Sequence, residues 1–206
     1  MNIGILLGSF NPIHFGHITM ANIIINSNIC QKVIFVLGKQ NPWKEDKSAD
    51  FDLRAKMCQM AIEPFHEHCE LCLLEKEIEY PSYSYKVLGE LRKQYPHDNL
   101  FIIGGTDTME TIHLWKNFSD DIKPYFKYIE IARGNTKDKE DTQSLFTTSS
   151  KEYEELGEIP IIFPKNNDIS STIIRDMVKK DMNLYPYLHE NVIKIIKENN
   201  LYKNGL

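Results

Sequence analysis

Residues 3–17, IGILLGSFNPIHFGH, join a continuous apolar run to a turn that contains two glycines and two histidines. The run IGILL has the length and branching of a strand that is buried on both faces of a sheet. Gly8 lets the backbone approach a ligand closely, and Gly16 leaves space where the next helix begins. The stretch therefore predicts a first strand, a turn suited to binding, and a helix.

The alternation of strand and helix patterns continues along the chain. Further buried strands are predicted at 32–38, 100–105, 128–132 and 159–164, with a more polar edge strand at 69–80. Helical patterns occupy 17–27, 52–63, 84–95, 108–118 and 189–200. This order predicts an α/β fold with a Rossmann-like, doubly wound parallel sheet and a small C-terminal helical subdomain. We expect a core over residues 1–168 and a helical part over 169–206 that together form one functional domain.

Composition limits the classes of protein to which this chain can belong. Its 206 residues carry a formal net charge of −5, which argues against a nucleic-acid-binding or membrane-surface protein. No apolar run approaches the ~20 residues of a membrane span, and the short first run lacks the basic flank of a signal peptide. We therefore expect a cytoplasmic protein with reduced thiols at Cys30, Cys58, Cys69 and Cys72.

The two histidines of the first turn have the spacing of an anion site. His14 and His17 are three residues apart, so both imidazoles can face one phosphate group. His17 falls at the start of the predicted helix, where free N–H groups and the helix dipole favour anions. The turn is thus predicted to hold phosphate.

A second anion-binding pattern lies at 169–178, ISSTIIRDMV. Either Ser170 or Ser171 can cap a helix whose first N–H groups face an anion. Arg175 lies one turn after Ser171 and offers a forked donor to phosphate oxygens. By itself this piece is also compatible with an ordinary capped surface helix.

Together the two patterns resemble the signature of the nucleotidyltransferase superfamily that carries an H-x-G-H motif. Other segments are similar to bacterial nicotinate-nucleotide adenylyltransferases: NPWK (41–44), LRAKMCQMAI (53–62), PSYS (81–84), GTDTMETIHLW (105–115), ARG (132–134) and NVIKIIKENNLY (191–202). The chain departs from that family's pattern at Lys86, where an aspartate is usual, and at Arg133–Gly134, where a proline usually intervenes. The resemblance implies transfer of AMP from ATP to nicotinate mononucleotide, with Mg²⁺ bound through the ATP phosphates.

The same resemblance implies roles for individual residues. Catalysis would rest on His14, His17 and Arg175. ATP would be bound by Gly8, Ser9, Phe10, Gly16, Lys44, Gly105, Asp107, Ser170, Ser171 and Thr172. The acceptor would contact Ser84, Trp115 and Arg133, and no metal cage made by protein alone is expected.

Several alternatives stay open at this point. Asp107 could cap the 108–118 helix, Trp115 could be a core residue, and Arg133 could be a surface residue. Nicotinamide mononucleotide or phosphopantetheine could replace the nicotinate acceptor, or the fold could serve as a regulatory module without turnover. The patterns leave open the oligomeric state, a homo-oligomer included, and the role of the polar segment 134–155.

One further cluster raises the question of a metal site. HEHCELC places two histidines and two cysteines close together at 66–72. If the segment from Cys69 is a strand, then Cys69 and Cys72 point to opposite faces, and four convergent zinc ligands are not available. We therefore favour buried thiols over a zinc site.

Overall fold

The computed structural model describes residues 1–39, 49–133, 158–163 and 169–203. Within these ranges six strands are present: β1 (Asn2–Gly8), β2 (Lys32–Leu37), β3 (Cys69–Cys72), β4 (Asn99–Gly105), β5 (Lys127–Arg133) and β6 (Glu158–Phe163). The α-helices are α1 (Phe15–Asn26), α2 (Phe51–Ile62), α3 (Ser84–Gln94), α4 (Thr106–Thr111), α5 (Ser171–Lys179) and α6 (Glu190–Glu198). The polar segment 134–155 lies outside the described residues.

The strands form one parallel sheet in the order β3-β2-β1-β4-β5-β6. This is the doubly wound order, in which the connections reverse direction between β1 and β4. The predicted Rossmann-like parallel fold is confirmed. Because β1 is central, the turn that follows it emerges at the switch point, where open parallel sheets bind their ligands.

Two apolar clusters cover the two faces of the sheet. Phe35 and Cys69 belong to the cluster that includes α1, α2 and the C-terminal helices α5 and α6. Ile34 and Cys72 belong to the cluster that includes α3. Cys69 and Cys72 therefore lie on opposite faces of β3, as a strand geometry predicts. Burial raises the pKa of the Cys69 thiol to about 11.

Two predicted elements are shorter in the structure. The strand expected over 69–80 ends at Cys72, which pairs with Val36, one residue before β2 itself ends at Leu37. A short 3₁₀ turn over Leu74–Lys76 follows it. The helix expected over 108–118 starts earlier, at Thr106, and stops at Thr111; a 3₁₀ turn over Ile112–Leu114 follows, and the backbone is extended at Trp115.

The C-terminal helices pack into the first cluster through Ile174, Met177, Val192 and Ile196. The proposed boundary between residues 168 and 169 stays a prediction. None of the helices in the described ranges is long and apolar enough to cross a bilayer.

Candidate functional site

A cavity of about 720 Å³ opens at the carboxyl ends of β1, β4 and β5. It lies at the switch point between β1 and β4, the position expected for a ligand in this topology. Seven of the predicted site residues line it: His14, Gly16, His17, Gly105, Asp107, Ser170 and Ser171. The two motifs, more than 150 residues apart in the sequence, thus contribute to one cavity.

The histidine pair lies at the start of α1. His14 is the N-cap and is only 7% exposed, and its ring centroid lies 3.8 Å from that of His17. The backbone N–H of His14 donates to Nδ1 of His17 at 3.2 Å. Since Nδ1 accepts this hydrogen bond, the proton of a neutral His17 ring resides on Nε2, which can donate to a ligand.

The surroundings of His17 favour its neutral form. Burial lowers the pKa of His17 well below its ordinary value of 6.5, and the neighbouring charge of His14 lowers it further. Protonation at Nδ1 would also break the hydrogen bond from the His14 backbone. The His17 ring is therefore neutral at neutral pH and carries its proton on Nε2.

Two glycines and a phenylalanine hold the imidazoles in place. Phe10 is 1% exposed, has a φ of 41°, and meets the His17 ring edge-on with centroids 5.0 Å apart. A side chain on Gly8 would meet Phe10, because an added Cβ would lie 2.8 Å from Phe10 Cε1. A Cβ on Gly16 would lie 2.8 Å from His14 Nδ1. The glycines of the motif are thus required by the packing of its aromatic rings.

Helix α5 is attached directly to the first turn. Ser170 is its N-cap and accepts a hydrogen bond from the backbone N–H of Ile173. Ser171 Oγ donates to the Pro12 carbonyl at 2.9 Å. The sequence left the capping residue open between these two serines. In the structure Ser170 caps the helix and Ser171 joins the two motifs.

Arg175 reinforces this attachment. Its Nη1 donates to the Asn11 carbonyl at 2.8 Å, and its Nη2 donates to Thr172 Oγ1 at 3.0 Å. These contacts use two of the five N–H groups of the guanidinium. Neither Arg175 nor Thr172 is among the residues that line the cavity, although both lie on the helix that reaches it.

The start of α4 forms another wall of the cavity. Gly105 is the N-cap of α4, and Asp107 lies exposed in its first turn. The alternative that Asp107 caps this helix is therefore wrong, because the helix begins at Thr106. Asp107 is the acidic residue among those that line the cavity, so its carboxylate is available there to a cation or a hydroxyl group.

The predicted acceptor residues lie further away. Ser84 is the first residue of α3, and Trp115 is half-buried against the second apolar cluster, so neither lines the cavity. Arg133 ends β5, but its side chain lies outside the described part of the chain, as does Lys44. The structure thus brings seven of the predicted catalytic and ATP-binding residues to one cavity and leaves the acceptor side as a prediction.

Sequence reasoning missed Asn11, a buried residue that connects distant segments. Its Oδ1 accepts hydrogen bonds from the Ala49 N–H at 3.1 Å and from the Tyr202 hydroxyl at 2.8 Å. Burial raises the pKa of Tyr202, which keeps its hydroxyl protonated as a donor. The available signal was the LY pair at 201–202, at the end of the segment 191–202 that resembles the family.

Comparison with known sequences places this chain in a family. The family model described as "Cytidylyltransferase-like" matches residues 5–177. A probable nicotinate-nucleotide adenylyltransferase from Methylacidiphilum infernorum is 33% identical over 201 residues, which span 97% of this chain and 91% of the relative. Another from Christiangramia forsetii is 30% identical over 204 residues, which span 98% of each chain.

Solved structures share the fold over nearly the whole length. Plasmodium falciparum nicotinic acid mononucleotide adenylyltransferase complexed with NaAD superposes with a TM-score of 0.73 at 22% identity, covering 98% of this chain and 97% of that chain. The same enzyme complexed with APC gives a TM-score of 0.71. At this identity the likeness shows the fold. Together with the sequence matches, it shows that the chain belongs to the cytidylyltransferase-like family of nucleotidyltransferases and, within it, to the nicotinate-nucleotide adenylyltransferases.

Proposed function

We propose that this protein transfers the AMP group of ATP to the 5′-phosphate of nicotinate mononucleotide and releases pyrophosphate. The observation that carries this proposal is the cavity at the switch point, into which the histidine motif and the ISST segment both project. The curated relatives named as probable nicotinate-nucleotide adenylyltransferases support the same reaction. Nicotinamide mononucleotide and phosphopantetheine are the alternative acceptors.

The site offers two helix N-termini to the phosphates. The N-cap of α1 is His14, and the N-cap of α5 is Ser170. The hydrogen bond from Ser171 to the Pro12 carbonyl keeps the two starts together. Because a helix start carries free N–H groups and a partial positive charge, this pair favours a polyanion such as a triphosphate.

The reaction itself needs positioning and charge stabilisation. An oxygen of the acceptor phosphate attacks the α-phosphorus in line, and the bond to the α–β bridging oxygen breaks as pyrophosphate leaves. Neutral His17 donates from Nε2 to an oxygen of the α-phosphate, with His14 beside it, as negative charge increases in the transition state. On the leaving side we assign the remaining phosphate contacts to Arg175, Ser171, Thr172 and Lys44.

The residues at the cavity are compatible with Mg²⁺ held mainly by ATP. In the described ranges no group of three or more His, Cys, Asp or Glu side chains could hold a metal ion alone. Asp107 supplies one carboxylate at the cavity wall, and Mg²⁺ commonly binds through one or two carboxylates together with substrate phosphates. When bound, the ion would neutralise charge on the phosphate oxygens.

Two of the proposed acceptor residues, Ser84 and Trp115, lie outside the cavity that the two motifs share. We place nicotinate mononucleotide near Trp115, which could stack on the pyridine ring, with Ser84 and Arg133 as polar contacts. We also propose that the protein acts in the cytoplasm without a nucleic-acid partner, which its net charge of −5 supports.

The test is pyrophosphate release with ATP and Mg²⁺, offering nicotinate mononucleotide, nicotinamide mononucleotide or phosphopantetheine in parallel, with products identified by mass. We expect preference for the nicotinate acceptor. Turnover with another acceptor would keep the transfer chemistry and remove the assignment of Trp115 and Arg133. If folded protein binds ATP but turns over none of the three, the protein is a regulatory module.

The same assay tests the assigned histidine. His17→Ala should lower kcat by about 10²–10³-fold, the usual loss for one transition-state donor, without unfolding the protein. His97→Ala is the matched control, because His97 is exposed and lies just before β4, at the opposite edge of the sheet. A near-wild-type kcat in His17→Ala would exclude this mechanism.

A further inference from the structure

Arg54 is a buried arginine outside the residues assigned to the site. It lies in the first turn of α2 with 2% of its surface exposed. Its guanidinium donates to four backbone carbonyls, at 2.6–2.8 Å: Nε to Ala49, Nη1 to Ser9 and Gly38, and Nη2 to Lys39. Burial of a guanidinium is costly unless its N–H groups have acceptors. The buried position of Arg54 therefore requires these four carbonyls.

These carbonyls belong to the connections at the carboxyl edge of the sheet. Ser9 follows β1, Gly38 and Lys39 follow β2, and Ala49 precedes α2. Connections of this kind lack the regular hydrogen bonds of helices and strands, so their carbonyls need other donors. Arg54 supplies those donors to three segments at once, which fixes the positions of these segments relative to one another.

Glu75 holds the same region from the other side. The peptide group between Gly38 and Lys39 gives its carbonyl to Arg54, while its N–H bonds to the Glu75 carboxylate. Glu75 Oε1 also accepts the Ser82 hydroxyl at 2.6 Å. Burial raises the pKa of Glu75, and the Ser82 and Lys39 hydrogen bonds and the Arg54 charge oppose that shift. The network thus extends from the β1 turn to the segment that leads into α3.

One of these contacts leads to the histidine pair. In a trans peptide the carbonyl of one residue and the N–H of the next point in opposite directions. Fixing the Ser9 carbonyl therefore also fixes the direction of the Phe10 N–H and the start of Phe10. The Phe10 ring in turn packs edge-on against His17. A displacement of the backbone at Ser9 would therefore move the Phe10 ring that packs against His17.

We propose that Arg54 is a positioning residue for phosphate transfer, which acts through the Ser9 carbonyl on Phe10 and thereby on His17. This inference rests on the proposed function for its kinetic consequence. Arg54 itself contacts backbone carbonyls and none of the reacting groups. Lysine cannot replace it, because one ammonium group has three donors and no planar fork to reach four carbonyls.

The test compares Arg54→Lys with Arg92→Lys. Arg92 is a matched control, since its guanidinium also donates to two backbone carbonyls, those of Tyr95 and Asp98, but at the opposite edge of the sheet. We expect Arg54→Lys to lower kcat by about 10–100-fold with a much smaller change in the KM for ATP, as a displacement of transition-state groups predicts. Arg92→Lys should leave both constants within about twofold of wild type, since it touches no group of the site.

A second readout needs no turnover. The NMR resonances of the His17 imidazole in the substrate-free protein should shift in Arg54→Lys and stay unchanged in Arg92→Lys. If wild type turns over none of the acceptors, the proposed function fails while this measurement still decides whether Arg54 positions His17. Unchanged His17 resonances in Arg54→Lys would overturn the inference.

If Arg54→Lys does not fold, a second variant that removes the side chain beyond Cβ, Arg54→Ala, takes its place. In Arg54→Ala, millimolar guanidinium chloride should restore part of kcat by occupying the vacated site, whereas equal sodium chloride should not. Absence of this rescue in folded protein overturns the proposal. If neither variant folds, Arg54 serves only to stabilise the fold, and the proposal is overturned in that case too.

Discussion

The substitution Gly16→Ala tests whether the placement of the His14 ring limits the rate. An added Cβ at position 16 would lie 2.8 Å from His14 Nδ1, 2.9 Å from His14 Cε1 and 3.0 Å from Ile169 Cγ2. His14 is buried and its ring lies against His17, so it has little room to move away. The methyl group therefore acts directly on the geometry of the histidine pair.

The expected magnitude follows from these distances. Ordinary van der Waals contact begins near 3.4 Å, so the imidazole has to retreat by about 0.6 Å. Catalytic groups need to be held to within about 0.5 Å, and a misplacement of about 1 Å can cost 10²-fold in rate. We expect kcat to fall by about 10–100-fold. Overpacking should also cost about 1–3 kcal/mol of the free energy of unfolding.

Gly89→Ala is the control for the same chemical change. Gly89 lies within α3, and a Cβ there would meet nothing within 4 Å. Replacing it should stabilise the helix by up to about 1 kcal/mol, which raises Tm by about 2–4 °C in a chain of this size. Steady-state pyrophosphate release and thermal unfolding of both variants separate the clash at His14 from the gain in helix propensity.

A clear outcome would refute this reasoning. If Gly16→Ala retains the wild-type kcat and gains stability as Gly89→Ala does, then the His14 ring tolerates the methyl group. The position of that ring would then not limit the reaction.

Three further predictions concern stability. Ser170→Ala removes the N-cap hydrogen bond of α5. It should lower the free energy of unfolding by about 1 kcal/mol and Tm by about 2–4 °C, whereas Ser170→Thr should keep most of this stability. Since the pKa of His17 is lowered in the native state, the unfolded chain binds a proton that the native site rejects. The free energy of unfolding should therefore fall as pH drops below 6.5, by at most about 1.4 kcal/mol per pH unit. His17→Gln, which can still accept the His14 N–H, should lose that part of the pH dependence in urea titrations, and an unchanged slope would contradict the assignment. Tyr202→Phe removes the hydroxyl that donates to Asn11. It should lower the free energy of unfolding, measured by urea denaturation, by about 0.5–1.5 kcal/mol, and an unchanged value would show that this hydrogen bond does not stabilise the protein.

Local patterns predicted the fold well where a few neighbouring residues decide the outcome. The run at 3–7 became the central strand β1, and the glycine- and histidine-rich turn led into α1, which begins at Phe15, two residues before the expected start. The serine pair at 170–171 started α5, because an N-cap acts on the N–H groups of the next few residues. Prediction was poorer after Cys72, where the strand ended and a 3₁₀ turn over Leu74–Lys76 followed.

Buried polar groups were the hardest to predict. Arg54 lies on α2, and four carbonyls from three separate segments surround its guanidinium. Which carbonyls reach it depends on how β1 and β2 pair, and no spacing along the chain shows this. In the sequence, Arg54 was marked only as part of the segment 53–62 that resembles the family.

The sequence by itself determined the alternating strands and helices and the two motifs that resemble the family, because period, caps and glycine turns act over a few residues. Only the tertiary structure decided that Ser171 and Arg175 attach to Pro12 and Asn11. It also decided that the His17 ring is neutral, because burial and the adjacent His14 lower its pKa. Such contacts join residues up to 164 positions apart, and strand order and packing, which the whole chain settles together, bring them into reach.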